Sequence, residues 1–235
     1  MLATWDAQKR CLRWGTQYLG GLNLALKTCF FPSYTPPRGQ SAWTPRAARQ
    51  RGIRLDRWMA SWTQHYPHQP QLAGPKPPQL AVIWAEIVRR GWRPVAAQVP
   101  LGDGVTRCGT RLDCVCEYQG RFILLEIKTG YENYNAPAEP MLPPLVHVSS
   151  SPQHQHQLYL QVARHWWQQH YPDRPVAGCY IWRVDDQLTL HQIDATELVV
   201  DDLLPILTKL QQITTWNRRQ RLAQCRKKKK RRLGC

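Results

Sequence analysis

The stretch GTRLDCVCEYQGRFILLEIKTGY, residues 109–131, fixes more about the fold than any other part of the 235-residue chain. Two apolar runs flank Gln119-Gly120, which reads as a two-residue hairpin turn between them. Such a turn leaves no freedom in the register: Tyr118 faces Arg121 and, counting outward, Asp113 faces Glu126. Side chains alternate along a strand. Asp113, Val115 and Glu117 therefore share a face with Phe122, Leu124, Glu126 and Lys128. The other face, Leu112, Cys114, Cys116 and Tyr118 with Ile123, Leu125 and Ile127, is apolar throughout and belongs in a core.

Opposed like charges, with Cβ atoms ~4.5–5.5 Å apart, destabilise a sheet unless something positive lies between them. A divalent cation with oxygen ligands answers that need: magnesium or manganese takes one or two carboxylates and keeps several waters. Lys128, on the same face as Glu126, is placed to orient a water or to meet charge developing on a phosphate. The bland alternative is a solvated face on which Glu126 pairs with Lys128 or Arg111.

Around this hairpin the chain reads as one α/β domain with two appendages. Residues 1–31 have the spacing of a helix with a bulky apolar face (Leu12, Tyr18, Leu22, Leu26), ended by the prolines of residues 31–45. Residues 1–43 are thus expected to be a helical extension and linker, and 44–215 the core. A helix is expected from Thr44 as N-cap and Pro45, with Leu55, Trp58, Met59 and Trp62 at helical spacing, and a second over residues 80–90 closed by Gly91. Three strands follow, over 93–101, 110–118 and 121–129, with turns at Gly102-Asp103-Gly104 and Gln119-Gly120. Residues 135–152 read as loop, and the serines before Pro152 open a helix to Tyr171. A strand pair over 177–184 and 188–194 precedes a last helix from near Ala195, with Pro205 in its first turn or at a kink.

The chain carries 32 Lys and Arg against 16 Asp and Glu, and ten of its formal +16 charges fall in residues 216–235, leaving +6 elsewhere. Such an excess favours a polyanionic partner. Seven consecutive basic residues, Arg226, Lys227, Lys228, Lys229, Lys230, Arg231 and Arg232, repel one another too strongly to pack and should order only on binding. The run suits either a nuclear localisation signal or a nonspecific nucleic-acid arm. The former places the protein in the nucleus of a eukaryotic host and is compatible with a DNA virus. The eight scattered cysteines include no Cys-x-x-Cys pair, which argues against a disulfide framework, a zinc site or an iron–sulfur cluster and for a reducing compartment. No stretch reads as a membrane span or a secretory signal. Of eleven Trp, those at 58, 62, 84, 166 and 167 sit at helical core positions, and Trp43 is the better candidate for stacking on a base.

Asp113 on one strand and Glu126-Ile127-Lys128 on the next resemble the core of the PD-(D/E)XK nuclease superfamily, with Leu112 where many members have proline. Gln155 and Tyr159, in QHQLY, look like the Gln-x-x-x-Tyr helix of its RecB and lambda-exonuclease-like branch. Gly52 and Asp56, in GIRLD, are similar to that branch's upstream helix motif. The resemblance covers residues ~44–170. It implies a restriction-endonuclease-like α/β core, a central mixed sheet flanked by helices. It also implies a magnesium or manganese ion held by Asp113, Glu126 and the Ile127 carbonyl, with Lys128 positioning the attacking water. Asp56 would complete a second metal position, with Glu86 as a competitor, unless it is a surface charge beside Arg54 and Arg57. Gln155 and Tyr159 would reach the active-site edge or a DNA phosphate and Arg111 would meet DNA, although Gln153, Gln157 and Gln161 allow the glutamine assignment to shift.

These readings converge on a metal-dependent deoxyribonuclease, an exonuclease in replication, recombination or end processing. The rivals are a noncatalytic nuclease-fold DNA-binding protein with a nuclear-targeting tail, and a charge-driven nucleic-acid-condensing protein.

Overall fold

The computed structural model describes residues 2–9, 11–32, 45–66, 68, 76–129, 134–136, 138–198, 200 and 202–213, with the backbone alone at 45–49. Trp43, Thr44 and the basic tail lie outside these residues.

In chain order the elements are β1 (Ala3–Asp6), β2 (Cys11–Trp14), β3 (Gln17–Tyr18), β4 (Gly20–Gly21), α1 (Leu22–Phe30), α2 (Pro45–His65), α3 (Pro78–Arg89), β5 (Arg93–Asp103), β6 (Cys108–Tyr118), β7 (Arg121–Thr129), α4 (Pro152–His170), β8 (Val176–Val184) and β9 (Leu190–Asp194). A 3-10 turn at Ala195–Glu197 and a helix over 204–213 (α5) close the described chain.

The helix expected over residues 1–31 is half wrong. Residues 3–18 form an antiparallel three-stranded meander, β1-β2-β3, and only residues 22–30 are helical. Ala3, Leu12 and Leu19 make a small core of their own beneath it. The division at residue 43 does not mark where the main core begins either, since β4 joins the main sheet and Leu22, Leu26 and Phe30 of α1 are fully buried in the main core.

Among the described residues the main sheet has six strands and is mixed. β5 pairs antiparallel along β6; it is an edge strand, which is how it accommodates Pro94 and Pro100 without losing ladder bonds. The opposite edge of β6 is shared. β4 joins it in parallel at Cys108 and Gly109, β7 joins it antiparallel over Cys114–Tyr118, and among the described residues those between them have no strand partner on that side. β8 then runs parallel to β7, and β9 antiparallel to β8.

The hairpin register follows the turn as expected: Tyr118 faces Arg121, Cys116 faces Ile123 and Cys114 faces Leu125. Gln119 and Gly120 both have positive φ, 51° and 74°, the signature of the type I′ turn that matches strand twist. The β5–β6 turn sits later than expected. β5 runs on through Asp103, whose carboxylate accepts from the N–H groups of Val105 and Thr106 and so forms the turn around residues 104–107.

Helices cover both faces of the sheet. On one side α1 and α4 bury Leu22, Leu26, Leu158, Val162 and Trp166 against Val115, Leu124 and Ile181; on the other, α2 and α3 bury Leu55, Trp58, Met59, Trp62, Ile83 and Ile87 against Cys114, Cys116, Ile123, Leu125 and Trp182. The tryptophans at 58, 62, 166 and 167 are buried as expected, and Trp84 stacks on Trp62 at 4.2 Å between centroids. The helix boundaries have local causes. Pro78 sits in the first turn of α3, Gly91 follows its end at φ 64°, and Ser151 caps α4 by accepting from the His154 N–H. The last helix does not begin at Ala195: Asp194 caps only a single 3-10 turn, and α5 starts at residue 204 with Pro205 in its first turn.

Leu112 departs from the expected alternation. It packs with Val99 and Leu101 on the α4 side, whereas Cys114 lies on the α2 side. Gln98, between Ala97 and Val99 on the facing strand, has φ 53°, which breaks the two-residue repeat at this level of the sheet. With Leu112 turned toward α4, Arg111 and Asp113 turn toward α2.

Candidate active site

The position where β6 and β7 part company collects the charged residues. Pairing stops at Cys114 and Leu125, one step before Asp113 and Glu126. Instead of a cross-strand pair on one face, the Asp113 side chain reaches across the opening and its Oδ2 accepts the Ile127 N–H at 2.8 Å. Its Oδ1 accepts from Gln98 Nε2 at 3.3 Å. Gln98 was not legible as a site residue: its only mark is a left-handed backbone, which no residue type announces.

Glu126 projects to the α4 side and is 2% exposed. Its Oε1 is ion-paired with Lys128 Nζ, while its Oε2 is buried and within no hydrogen bond of good geometry among the described residues, although the Tyr159 phenol interacts with the carboxyl from the α4 side. Burial pushes the carboxyl up to about 8; the Asp113 charge and, more weakly, that of Asp56 push the same way, against Lys128. Asp56 arrives from α2 and is held up at about 6, by burial first and the Asp113 charge second, with Arg111 and Lys128 opposing. The surface-charge alternative for Asp56 is therefore replaced by a place beside Asp113. Packing of α2 through Leu55, Trp58 and Met59 sets that place.

Tyr159 lies behind the opening rather than on its rim. At 2% exposed, its phenol donates to the Arg111 carbonyl at 3.2 Å and hydrogen-bonds the Thr110 hydroxyl, groups that lie between the end of β4 and the start of β7 pairing, with no strand beside them among the described residues. Burial and then the Glu126 and Asp113 charges hold its proton on well above the usual phenol range. A buried phenol offers no surface to DNA; of the two expected contacts the phenol makes the one at the site's edge, beside the Glu126 carboxyl, and the DNA contact is corrected. Gln155 is also buried, at 6% exposed, one turn earlier. The neighbouring glutamines are separated from the carboxylates by their bonds. Gln157 donates to the Asp194 carbonyl and Gln161 to the carbonyls of Ala195 and Leu198, tying α4 to the segment after β9.

Glu86, weighed as a second-metal ligand, is elsewhere. Ion pairs with Arg89 and Arg90 on its own helix hold its carboxyl down at about 2. Helical spacing explains this, since both partners lie within one turn. Cys114 and Cys116 are buried free thiols, 3.9 Å apart, that fill the α2-side core. A concavity of about 650 Å³ lies along α4 and α5 by Asp103, His165 and Leu207, away from the carboxylates.

What the arrangement offers chemically is a concentration of negative charge with too little to neutralise it. Two carboxyls are raised by burial and by the charge of Asp113, and one buried oxygen has no well-aligned donor among the described residues. Among the described residues no three Asp, Glu, His or Cys side chains form a ready-made ligand cage. The site does suit a hard divalent ion that takes one or two carboxylates and completes its shell with water. Glu126 Oε2 and the Asp113 carboxylate are the groups placed to serve.

No curated protein matches the chain. A family model does: that of the PD-(D/E)XK nuclease superfamily, whose members are generally nucleases that use divalent metals such as magnesium, matches residues 39–232. With the mixed sheet flanked by helices, and with an acidic residue on β6 facing Glu-x-Lys on β7, this chain belongs to the PD-(D/E)XK nuclease superfamily.

Proposed function

We propose that the chain is a metal-dependent deoxyribonuclease that hydrolyses phosphodiester bonds at the opening between β6 and β7. The observation that carries this is the gathering of Asp56, Asp113, Glu126 and Lys128 where the ladder ends, with Glu126 Oε2 buried and without a well-aligned donor among the described residues. In this reading Asp113, Glu126 and the carbonyl of Ile127 hold a magnesium or manganese ion, and Asp56 serves a second. When bound, such an ion lowers the pKa of a coordinated water and offsets charge on the phosphoryl oxygens.

The chain's own residues do the rest. Lys128, ion-paired with Glu126, is the ammonium that would orient the attacking water and meet negative charge on the phosphate. Gln98 and the Ile127 N–H keep Asp113 aimed into the opening. Tyr159 is a positioning residue: through the Arg111 carbonyl and Thr110 it fastens the unpaired stretch of β6 to α4 and keeps the opening from closing into a ladder. Arg111 faces DNA from the same stretch. Gln155 and Tyr159 on the helix after the hairpin are similar to the RecB and lambda-exonuclease-like branch, which supports exonucleolytic end processing. The basic run Arg226 to Arg232 supports nuclear targeting or a nonspecific hold on DNA.

Cleavage of linear and closed-circular DNA by the purified chain with magnesium, manganese or EDTA, beside Glu126→Ala and Lys128→Ala, tests the reading. Metal-dependent loss of linear DNA, abolished by both substitutions, is the expected result, and sparing of circles assigns the exonuclease mode. A specific observation favours a second reading: Asp113 and one Glu126 oxygen already have protein partners, as a noncatalytic DNA-binding scaffold would need. DNA binding by a wild-type chain that cleaves under none of these conditions would select it.

A further inference from the structure

The β1-β2-β3 meander lies outside the region matched by the superfamily, which begins at residue 39, yet it packs against the strands that build the site. Its Trp5 is 37% exposed, although Ala3 and Leu12, on the same side of the meander, are buried against the body. The indole reaches the site's own strand: the Arg111 guanidinium carbon lies 4.2 Å from its ring centroid. Arg111 is two residues from Asp113, about 7 Å along the strand, and turned to the same side. Its charge acts on Asp56, so it belongs to the electrostatics of the opening.

An exposed indole held against a guanidinium is the combination that single-stranded nucleic acid uses: the π-faces accept a base, and the cation meets the phosphate that follows it. Outside residues 216–235 the chain still carries a formal +6, which favours a polyanion. A duplex hides its base faces, so Trp5 is useful only to an unpaired nucleotide.

We propose that Trp5 and Arg111 form a shelf on which an unpaired base of single-stranded DNA stacks beside the phosphodiester to be cleaved. The shelf rests on the nuclease reading for its placement, though not for its test. It gives the site a preference for unpaired strands or frayed ends, set by an element outside the superfamily match. The other exposed aromatic of the meander supplies an internal control. Tyr18 lies on the opposite side of the meander, 52% exposed, with Lys9 Nζ and Arg13 Cζ 5.4 and 5.3 Å from its ring. It has the same aromatic and cationic character, but both of these cations come from the meander itself rather than from β6.

The test measures binding of labelled single-stranded and duplex oligonucleotides to the full chain in EDTA, where hydrolysis plays no part. Trp5→Leu, which keeps apolar bulk without a π-face, should weaken single-strand binding about tenfold or more, as loss of one stacked base does. Trp5→Phe should recover most of it, and Tyr18→Leu and duplex binding should change less than about twofold. Circular dichroism and melting of each variant report whether the meander stays folded. A second measurement needs no variant: photocrosslinking of a bromodeoxyuridine-substituted single strand to the wild-type chain, with the crosslink expected in the peptide that contains Trp5. Unchanged single-strand affinity in a folded Trp5→Leu, an equal loss for duplex, or crosslinks confined to other peptides each overturns the shelf. Absence of metal-dependent cleavage by the wild type would instead overturn the nuclease reading and leave these binding results standing.

Discussion

Replacing Glu126 by Gln should make the metal-free protein more stable, the reverse of what removing a buried ion-pair partner usually does. The carboxyl is held near 8 in the fold, against 4.5 when unperturbed. The folded state therefore binds this proton more tightly than the unfolded chain does. Glu126 costs nothing below about pH 4.5, and its destabilisation grows as pH rises, by about 1.4 kcal/mol per pH unit until the folded pKa is passed. At pH 7 the cost is about 3 kcal/mol. Glutamine keeps an oxygen for Lys128 Nζ and offers N–H donors to a neighbourhood that holds the Asp113 carboxylate, so the pair is not simply broken. The gain should be about 2–3 kcal/mol, or about 5–10 °C in Tm for a chain of this size. The assay is thermal and urea unfolding in EDTA from about pH 4.5 to 8.5, followed by the same series in magnesium. Wild type should lose stability across that range, the variant should lose much less, and magnesium should stabilise the wild type alone. A variant that melts at or below the wild type at pH 7 in EDTA, with an unchanged pH slope, would refute the assignment of Glu126 as the strained carboxylate of the site.

Lys128→Met should reduce cleavage at least about 100-fold while leaving DNA binding in EDTA within a few-fold, read by single-turnover kinetics beside anisotropy. Tyr159→Phe removes the donor to the Arg111 carbonyl and should cost about 1–3 kcal/mol in urea unfolding, with a fall in kcat larger than any change in KM. Glu86→Gln breaks the pairs with Arg89 and Arg90 at the helix surface and should change stability by less than about 1 kcal/mol and cleavage by less than about twofold; a large loss of activity would return Glu86 to the site. Gln98→Gly relieves a left-handed backbone but frees Asp113, so stability should hold within about 1 kcal/mol while activity falls.

The sequence alone determined what is governed by near neighbours. Gln119-Gly120 set the hairpin register because a two-residue turn has one geometry that suits strand twist. Leu55, Trp58, Met59 and Trp62 announced α2, and Ser151-Pro152 announced the start of α4, because periodicity and capping are properties of a few consecutive residues. The choice of Asp113, Glu126 and Lys128 as the residues to watch came from the same local register. Residues 1–31 misled because Leu12, Tyr18, Leu22 and Leu26 fit a helical spacing that outweighed the turn signals lying between them. Gly15-Thr16 forms the turn between β2 and β3, with Gly15 at φ 57°, and Gly20-Gly21 is the short parallel strand β4.

Only the tertiary structure decided how the charges meet. That β6 and β7 separate just before Asp113 depends on β4 taking the far end of the β6 edge and on Tyr159, 48 residues beyond Arg111, occupying the gap. Asp56 became a neighbour of Asp113, and Glu86 did not, because α2 and α3 dock on the sheet at different places. The positive φ of Gln98 and the resulting turn of Asp113 toward α2 follow from strand pairing rather than residue type. Electrostatic strain of the kind Glu126 carries exists only where folding removes water from several like charges at once, and no stretch of sequence encodes that by itself.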